Sequence, residues 1–480
     1  MVPPATLERA TAHVTAQVPA AAKELASAFA AAGAELALVG GPVRDSLLGR
    51  PIVDLDLATS AEPDQAMSLL KRWATKTWDV GQAFGTVAGR RGDTVVEITT
   101  YRSEVYDPDS RKPQVSYGDS LEGDLSRRDF TVNSMALLLA PNVRLADPFG
   151  GLTDLKAGLL RTPVSPSQSF GDDPLRMMRA ARFAAQLSFD VDAAAVQAMT
   201  AMADRLSIVS AERIQAELVK LLLAPQPRRG LELLTYSGLA EQVLPELPAL
   251  QLEIDEHHHH KDVYDHTLTV VDQAIALETG PDGPVPGPDL VLRLAALLHD
   301  IGKPATRRFE AGGGVSFHHH EVVGAKMATK RLRALRFDSA TIKDVARLIE
   351  LHLRFHGYGD GEWSDSAVRR YVTDAGPLLE RLHRLTRADC TTRNRRRAER
   401  LAFAYDDLER RITELAAQEE LRAIRPDLNG DQIMTVLGIG PGKDVGKAYK
   451  YLLERRMNDG PLGEAAATEA LKAWWANQHD

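Results

Sequence analysis

Two aspartates two residues apart, Asp54 and Asp56, carry the strongest chemical signal in this chain. Strand side chains alternate between faces, so a strand here projects both carboxylates to one side. Val53, Leu55 and Leu57 then fill the other side, against a core. Such a pair can hold two divalent ions about 4 Å apart, the clamp that serves in-line phosphoryl transfer. Upstream, Gly40 and Gly41 open a turn whose backbone amides can approach phosphate, and Arg44 adds a guanidinium for a triphosphate. This reads as nucleotidyl transfer. A solvated turn or a helix cap is the competing reading of an Asp-x-Asp taken alone.

Two further segments carry ionic groups in register. RRDFTVNSMA places Arg127, Arg128, Asp129 and Asn133 before an apolar stretch read as a helix. They can bind a ribose hydroxyl and phosphates, or Asp129 can simply cap a helix with solvated arginines beside it. In DDPLRMMRAARF, Pro174 suits a first helical turn, and Asp173, Arg176 and Arg179 lie three apart on one face. A carboxylate and a guanidinium there can read a base edge. Cytosine and adenine both offer an exocyclic amine beside a ring nitrogen, whereas uracil and guanine put a carbonyl where the amine should be. An intrahelical Asp–Arg pair is the alternative.

The elements that must position these groups follow from the pattern. With 480 residues, 44% hydrophobic and 26% charged, the chain is long enough for about three or four soluble domains. No apolar run reaches the ~18 residues of a membrane span. The N-terminal MVPPATLERATAHVTAQ lacks an apolar signal core, and a single cysteine, Cys390, suits a reducing cytosol, so a cytoplasmic location is expected. A net charge of −8 argues against indiscriminate polyanion binding, but Arg228-Arg229 and the run Arg393, Arg395, Arg396, Arg397 and Arg400 are locally basic. Strands are expected at 35–39, 52–58, 86–90 and 95–100, with helices near 42–49 and 63–74. From about 170 onward the spacing is helical, including one helix over 172–187 and a long charged helix over 393–420.

Taken in series, LVGGPVRDSLLG, DLDLAT, RRDFTVNSMA, DPFGGLTDLKAG, DDPLRMMRAARF and SAERIQAELVKLL resemble the class II tRNA nucleotidyltransferases, the CCA-adding enzymes. The resemblance spans roughly 35 to 225. It implies an α+β head of the polymerase-β nucleotidyltransferase type, followed by an all-α neck, HD body and tail. It implies template-independent addition of C, C and A to a tRNA 3′ end from CTP and ATP. By it, Asp54 and Asp56 hold catalytic Mg²⁺, and Gly40, Gly41 and Arg44 form the triphosphate site. Arg127, Arg128, Asp129 and Asn133 take the ribose and phosphates, and Asp173 and Arg176, with Arg179 nearby, template the base. Glu97 in VVEITTYR is a candidate supporting carboxylate or a strand-edge charge. The segment 101–123 looks like the flexible loop that is shortened in CC-adding relatives, which favours CCA or terminal A addition. Bacterial poly(A) polymerases share head and neck and remain the nearest rival.

A second constellation follows. His266, His299-Asp300 in LLHDIGKP, and Asp389 resemble the HD phosphohydrolase superfamily, and His320 and His352 fall in order for a second ion. Imidazole and carboxylate together suit Mn, Ni, Fe, Zn or Mg, so a phosphohydrolase is an added or alternative activity. The run His257–His260 reads as a solvated loop. In the tail, Gly438, Gly440, Pro441 and Gly442 open a helix bearing Lys443 and Lys447, either an ordinary turn or a contact to RNA backbone. The expected division is head 20–160, neck 161–250, HD domain 251–390 and tRNA-binding tail 391–480, with no membrane partner and an open oligomeric state.

Overall fold

Two sets of apolar residues on opposite faces of one sheet organise the first half of the chain. The computed structural model describes residues 3–53, 55–81, 85–105, 114–117, 120–251, 263–310, 315–358, 363–391, 395–418 and 424–479. It divides into two compact units, Met1–Val243 and Leu244–Asp480.

In the first unit, α1 (Pro4–Gln17) and α2 (Ala20–Ala31) precede β1 (Leu36–Val39), α3 (Gly41–Leu47), β2 (Leu55–Thr59) and α4 (Pro63–Trp73). Next come β3 (Lys76–Gly81), β4 (Thr86–Arg91), β5 (Thr94–Thr100), a hairpin of β6 (Arg102–Val105) and β7 (Gln114–Tyr117), then α5 (Leu121–Ser126), β8 (Ala136–Ala140) and β9 (Arg144–Ala146). Seven strands form one sheet in the order β3-β4-β5-β2-β1-β8-β9. Within it β2 and β5 run parallel, and the other neighbours are antiparallel. One face carries Leu36, Leu38, Leu55, Leu57, Val96 and Ile98 against Leu25, Phe29 and Leu70 of the helices. The other carries Ala37, Val39, Ala58, Ala136 and Leu138 against Tyr101, Leu121 and Leu125.

Three expectations need correction. Val53 is 82% exposed rather than packed on the core, because β2 begins at Leu55 and alternation does not extend back to it. The apolar run after Asn133 is strand β8, not a helix. All five of its residues are buried, as befits a short strand covered on both faces, and a short apolar run carries no period to reveal that. The stretch 172–187 is two helices rather than one, α7 and α8 below, broken at Asp173-Pro174 where proline supplies no amide to continue the first.

After the sheet come α6 (Gly151–Ala157), α7 (Pro166–Asp172), α8 (Leu175–Leu187), α9 (Ala193–Ala201), α10 (Ala211–Leu222), α11 (Pro227–Tyr236) and α12 (Leu239–Val243). Helix α8 is buried on nearly every side, and α10 and α11 pack on it. The contact with α11 is close enough that a Cβ on Gly230 would lie 2.6 Å from the Ala181 carbonyl.

The second unit is helical: α13 (Val263–Ala276), α14 (Leu290–Leu298), α15 (Lys303–Thr306), α16 (His320–Ala334), α17 (Ser339–Leu351), α18 (Asp365–Ala375), α19 (Leu379–Asp389), α20 (Arg395–Gln418), α21 (Gly430–Leu437), α22 (Lys443–Asp459) and α23 (Glu464–His479). Apolar α14 is central and packs on α13, α17 and α19. Helices α21 to α23 share a small core of Ile433, Leu452 and Leu471, with Tyr451 stacked on Trp474. Among the described residues no helix is long and apolar enough to cross a membrane.

Helix α6 reaches the turn after Asp129 through Gly151, where a Cβ would sit 2.3 Å from the Thr131 carbonyl and 2.8 Å from Met135 Cγ. Gly151→Ala is therefore expected to cost about 1–3 kcal/mol and to lower the unfolding midpoint of this unit by roughly 2–10 °C. Gly171→Ala, with nothing within 4 Å of its Cβ position, should leave the midpoint in place. Calorimetry on both variants checks the pair.

Candidate functional site

Asp56 lies between the buried Leu55 and Leu57, so the pleat turns it to the opposite, exposed face of β2. The parallel register sets Asp56 beside Glu97 of β5, which is also exposed. Asp54 lies outside the described residues. One strand over, β1 runs into Gly40, which adopts φ +74° and starts α3. A Cβ there would come within 2.8 Å of Arg128 Nη1, so glycine allows that guanidinium to lie over the turn. Gly41 follows as the first residue of α3.

From α3 a chain of hydrogen bonds runs to the helices behind. Arg44, 5% exposed, donates from Nε and Nη2 to Asp45 at 3.0 and 2.8 Å, and from Nη1 to Asn133 Oδ1 at 2.7 Å. Asn133 Nδ2 donates to Asp129 Oδ1 at 2.9 Å, and the Phe130 amide donates to the same oxygen at 2.8 Å. Arg179 of α8 donates to Asp129 Oδ2 from Nε at 2.7 Å and from Nη2 at 2.5 Å. Arg179 also lies 4.0 Å from Glu217 of α10, and Arg182 Nε donates to Glu217 Oε2 at 2.6 Å. Burial pushes the Asp129 carboxyl up, but Arg179, Asn133 and the Phe130 amide outweigh it and hold it at about 2. Asp129 is therefore an ionised hub, not the helix cap of the alternative reading. Arg127 and Arg128 are not solvated either. They donate to the buried Asp124 at 2.6 and 3.1 Å.

The three residues expected on one face of α8 separate. Asp173 precedes the helix, accepts from the Leu175 amide at 3.1 Å, and pairs with Arg213 of α10 at 2.9 Å. Arg176 is buried, donating to the Ser169 hydroxyl at 3.0 Å, to its carbonyl at 3.2 Å, and to the Arg127 carbonyl. Arg179 belongs to the Asp129 hub. Asp124, Arg213 and Glu217 are the partners that sequence reasoning left without roles. The last two lie in SAERIQAELVKLL, where their spacing of four was the available signal.

In the second unit, all six residues expected at the HD site come together, as two triads. His266, His299 and Asp389 form one, Asp300, His320 and His352 the other, with the ligand-type atoms of each triad within 4.8 Å of one another. His299 and His352 terminate α14 and α17, and Asp389 ends α19. The rings are aimed by their other nitrogens. Nδ1 of His299, His320 and His352 donates to the carbonyls of Ala296, Phe317 and Ile349 at 2.9, 2.8 and 2.6 Å. His266 Nδ1 meets the Thr391 hydroxyl at 3.0 Å. That leaves Nε2 of His299, His320 and His352 buried without a hydrogen bond, while His266 Nε2 approaches Asp389 at 2.9 Å. Buried imidazole nitrogens converging beside two carboxylates are a donor set that fits a divalent metal. Burial opposes charge on His299, but Asp300 and Asp389 lift it to about 10, so its Nε2 carries a proton that a metal would displace. Burial and His299 push His352 down to about 4. Lys303, unassigned from sequence, donates to Asp300 Oδ2 at 2.6 Å. His257–His260 lie outside the described residues. In the tail, Gly438 takes φ +67° at the end of α21, and Lys447 pairs with Asp444.

Comparison with known proteins agrees with this geometry. Residues 36–161 match the Poly A polymerase head domain, 188–250 the probable RNA and SrmB-binding site of polymerase A, and 263–394 the HD domain. A CCA-adding enzyme of Bacillus stearothermophilus, solved with CTP, superimposes with TM-score 0.68 over 96% of this chain and 99% of that one, at 23% identity. One of Thermotoga maritima, solved with tRNA, gives 0.62 over 98% of each at 18%. These likenesses establish the fold, a mixed-sheet head with a helical body. An A-adding tRNA nucleotidyltransferase of Deinococcus radiodurans is 35% identical over 453 residues, 92% of this chain and 96% of that one. A CCA-adding enzyme of Streptococcus thermophilus is 32% identical over 435 residues, 90% of each. With such identity along nearly the whole of both chains, this protein belongs to the tRNA nucleotidyltransferase family, which includes the A-adding and CCA-adding enzymes, and it carries an HD domain.

Proposed function

We propose that the head adds C, C and A in turn to a tRNA 3′ end from CTP and ATP, releasing pyrophosphate, and that it acts in the cytoplasm. The observation that carries this reading is the unbroken hydrogen-bond chain from Asp45 and Arg44 through Asn133 and Asp129 to Arg179. It ties the glycine turn beside the carboxylate-bearing strands to the helix proposed to read the base. Asp54 and Asp56 bind Mg²⁺, with Glu97 in support; an all-oxygen donor set suits that hard cation. Bound there, such ions would supply activation of the 3′-hydroxyl and charge neutralisation of the triphosphate. Gly40, Gly41 and Arg44 receive the triphosphate, while Arg128 and Arg127, poised over the turn by Asp124, receive phosphate and ribose with Asn133. Asp173 accepts from the exocyclic amine of cytosine or adenine. Arg176 donates to the ring nitrogen by exchanging one of its bonds to Ser169 or the Arg127 carbonyl.

A second reading has its own observation, the three buried Nε2 atoms facing Asp300 and Asp389. On it, His266, His299, Asp300, His320, His352 and Asp389 hold one or two divalent ions of the Mn, Ni, Fe, Zn or Mg class. A metal so held supplies activated water for phosphoester hydrolysis.

The test of the first reading is extension of a tRNA lacking CCA, with Mg²⁺ and CTP, ATP or both, resolved to single nucleotides. Two additions with CTP and a third when ATP joins are expected. Growth by A alone, on tRNA already ending in CC, would make this an A-adding enzyme. Long tails from ATP would make it a poly(A) polymerase. Asp56→Ala should abolish addition and leave tRNA affinity within about twofold in filter binding; loss of both would remove Asp56 from the catalytic role. Asp173→Asn presents an amide donor where an acceptor stood, so preference for CTP over UTP in kcat/KM should fall about 10- to 100-fold. An unchanged ratio would exclude Asp173 from base choice. For the HD site, Asp300→Asn should lose bound metal by elemental analysis and hydrolysis of bis(p-nitrophenyl) phosphate, with nucleotide addition retained. Hydrolysis that survives loss of the metal would refute that assignment.

A further inference from the structure

Helices α16 and α17 are joined by a short connection, residues 335–338, and pack against each other as a helical hairpin. A cavity of about 750 Å³ runs along this pair and is bounded on a third side by the turn 376–378 after α18. Ala325, Ile342, Ala346 and Leu378 give it an apolar lining. Lys326 and Arg333 of α16 and Lys343 of α17 line it as well. All three are exposed and, among the described residues, carry no ion pair. Arg347 is different, since Glu350 at 2.7 Å and Asp374 at 3.4 Å engage it. Asp344 is the lining acid that stands outside that network among the described residues.

This cavity is not the metal site. His320 opens α16 and His352 follows α17, so both sit at the end of the hairpin away from its connection. At a rise of about 1.5 Å per residue, Arg333 lies roughly 20 Å along α16 from His320, and Lys343 roughly 13 Å along α17 from His352. Three like charges gathered on one cavity repel one another, and they concentrate anions there. A cavity of this size, apolar with a few polar groups, suits a small molecule. A bare anion would leave the apolar lining uncovered and would be repelled by Asp344. The matching ligand carries phosphate at one end, a flat apolar ring at the other, and hydroxyl donors between them for the carboxylate.

We propose that the cavity between α16, α17 and the turn 376–378 binds a nucleoside diphosphate. Lys326, Arg333 and Lys343 take the phosphates, Asp344 accepts from the ribose hydroxyls, and the base packs on the apolar lining. The site is independent of nucleotide addition by the head.

The experiment is calorimetric titration of the full-length protein with ADP, in wild type, in the double variant Arg333→Glu/Lys343→Glu, and in Arg44→Ala. The double variant should bind one equivalent of ADP fewer than wild type, and Arg44→Ala should keep that equivalent. Lys343→Ala should weaken its Kd roughly 10- to 100-fold. Lys343→Arg, which keeps the charge, should bind as wild type does, so loss in the glutamate variant is not a failure to fold. In the Arg44→Ala protein, 2′-deoxy-ADP should bind this site roughly 3- to 10-fold more weakly than ADP, and adding Asp344→Ala should erase the difference. Inorganic pyrophosphate should bind it at least about 10-fold more weakly than ADP. An unchanged ADP stoichiometry in the double variant overturns the proposal, and a raised tRNA KM in that same variant would then make the face an RNA contact. Pyrophosphate binding as tightly as ADP overturns it too, since the cavity would hold an anion and no nucleoside.

Discussion

A buried carboxylate that remains ionised is the constraint on which the head depends. Asp129 is 7% exposed, and bringing its charge out of water is costly unless every lone pair is answered. Arg179, Asn133 and the Phe130 amide answer them. A carboxyl held at about 2 rather than near 4 contributes on the order of 2 kcal/mol. Because the folded value is the depressed one, that contribution is fully present above pH 4 and drains away as the pH falls toward 2. Structurally the hub matters more than its free energy. One residue fixes the turn that carries Asn133, and Asn133 fixes Arg44. The same residue fixes Arg179 on α8, so removing it strands a buried guanidinium and loosens three elements together.

The HD site solves a related problem with local means. Three histidines donate Nδ1–H to a carbonyl three residues earlier in the chain, which fixes each ring and turns its Nε2 toward the carboxylates. For His299 and His352 the carbonyl belongs to the last turn of the helix each terminates, a group with no onward helical partner. The same bond therefore caps a helix and orients a ring. A tight approach reinforces this. A Cβ on Gly302 would come within 2.2 Å of the His320 carbonyl, so the glycine of LLHDIGKP sets how close α16 sits to the helix end bearing His299 and Asp300.

Much of this was legible from residue types and order. The order of His266, His299, Asp300, His320, His352 and Asp389 resembles that of the HD superfamily, and that resemblance grouped them without any knowledge of helix packing. Alternation likewise turned Asp56 away from Leu55 and Leu57. What was not legible depended on distant partners. Arg176 and Arg179 share a helical spacing, yet one reaches back to Ser169 and the Arg127 carbonyl and the other to Asp129, fifty residues upstream. Asp173 looks like an intrahelical partner for Arg176 until Arg213, forty residues later, takes it. Glu97 could be placed beside Asp56 only by the strand register, because β5 joins β2 across an intervening helix and two strands.

The two proposed metal sites differ in a way that follows from their surroundings. Asp56 and Glu97 are exposed side by side and offer oxygen alone. An ion held by so few protein oxygens would be completed by water or by oxygens of a bound nucleotide. The HD set is mostly buried, mixes imidazole with carboxylate, and is braced by backbone carbonyls. Backbone carbonyls already aim three of its imidazole rings, so much of the orientational cost of binding a metal is met by the fold itself. An ion there would be a resident of the protein rather than a companion of the substrate. The same contrast would bear on selectivity, since oxygen-only ligands suit hard cations and imidazole nitrogen suits transition metals.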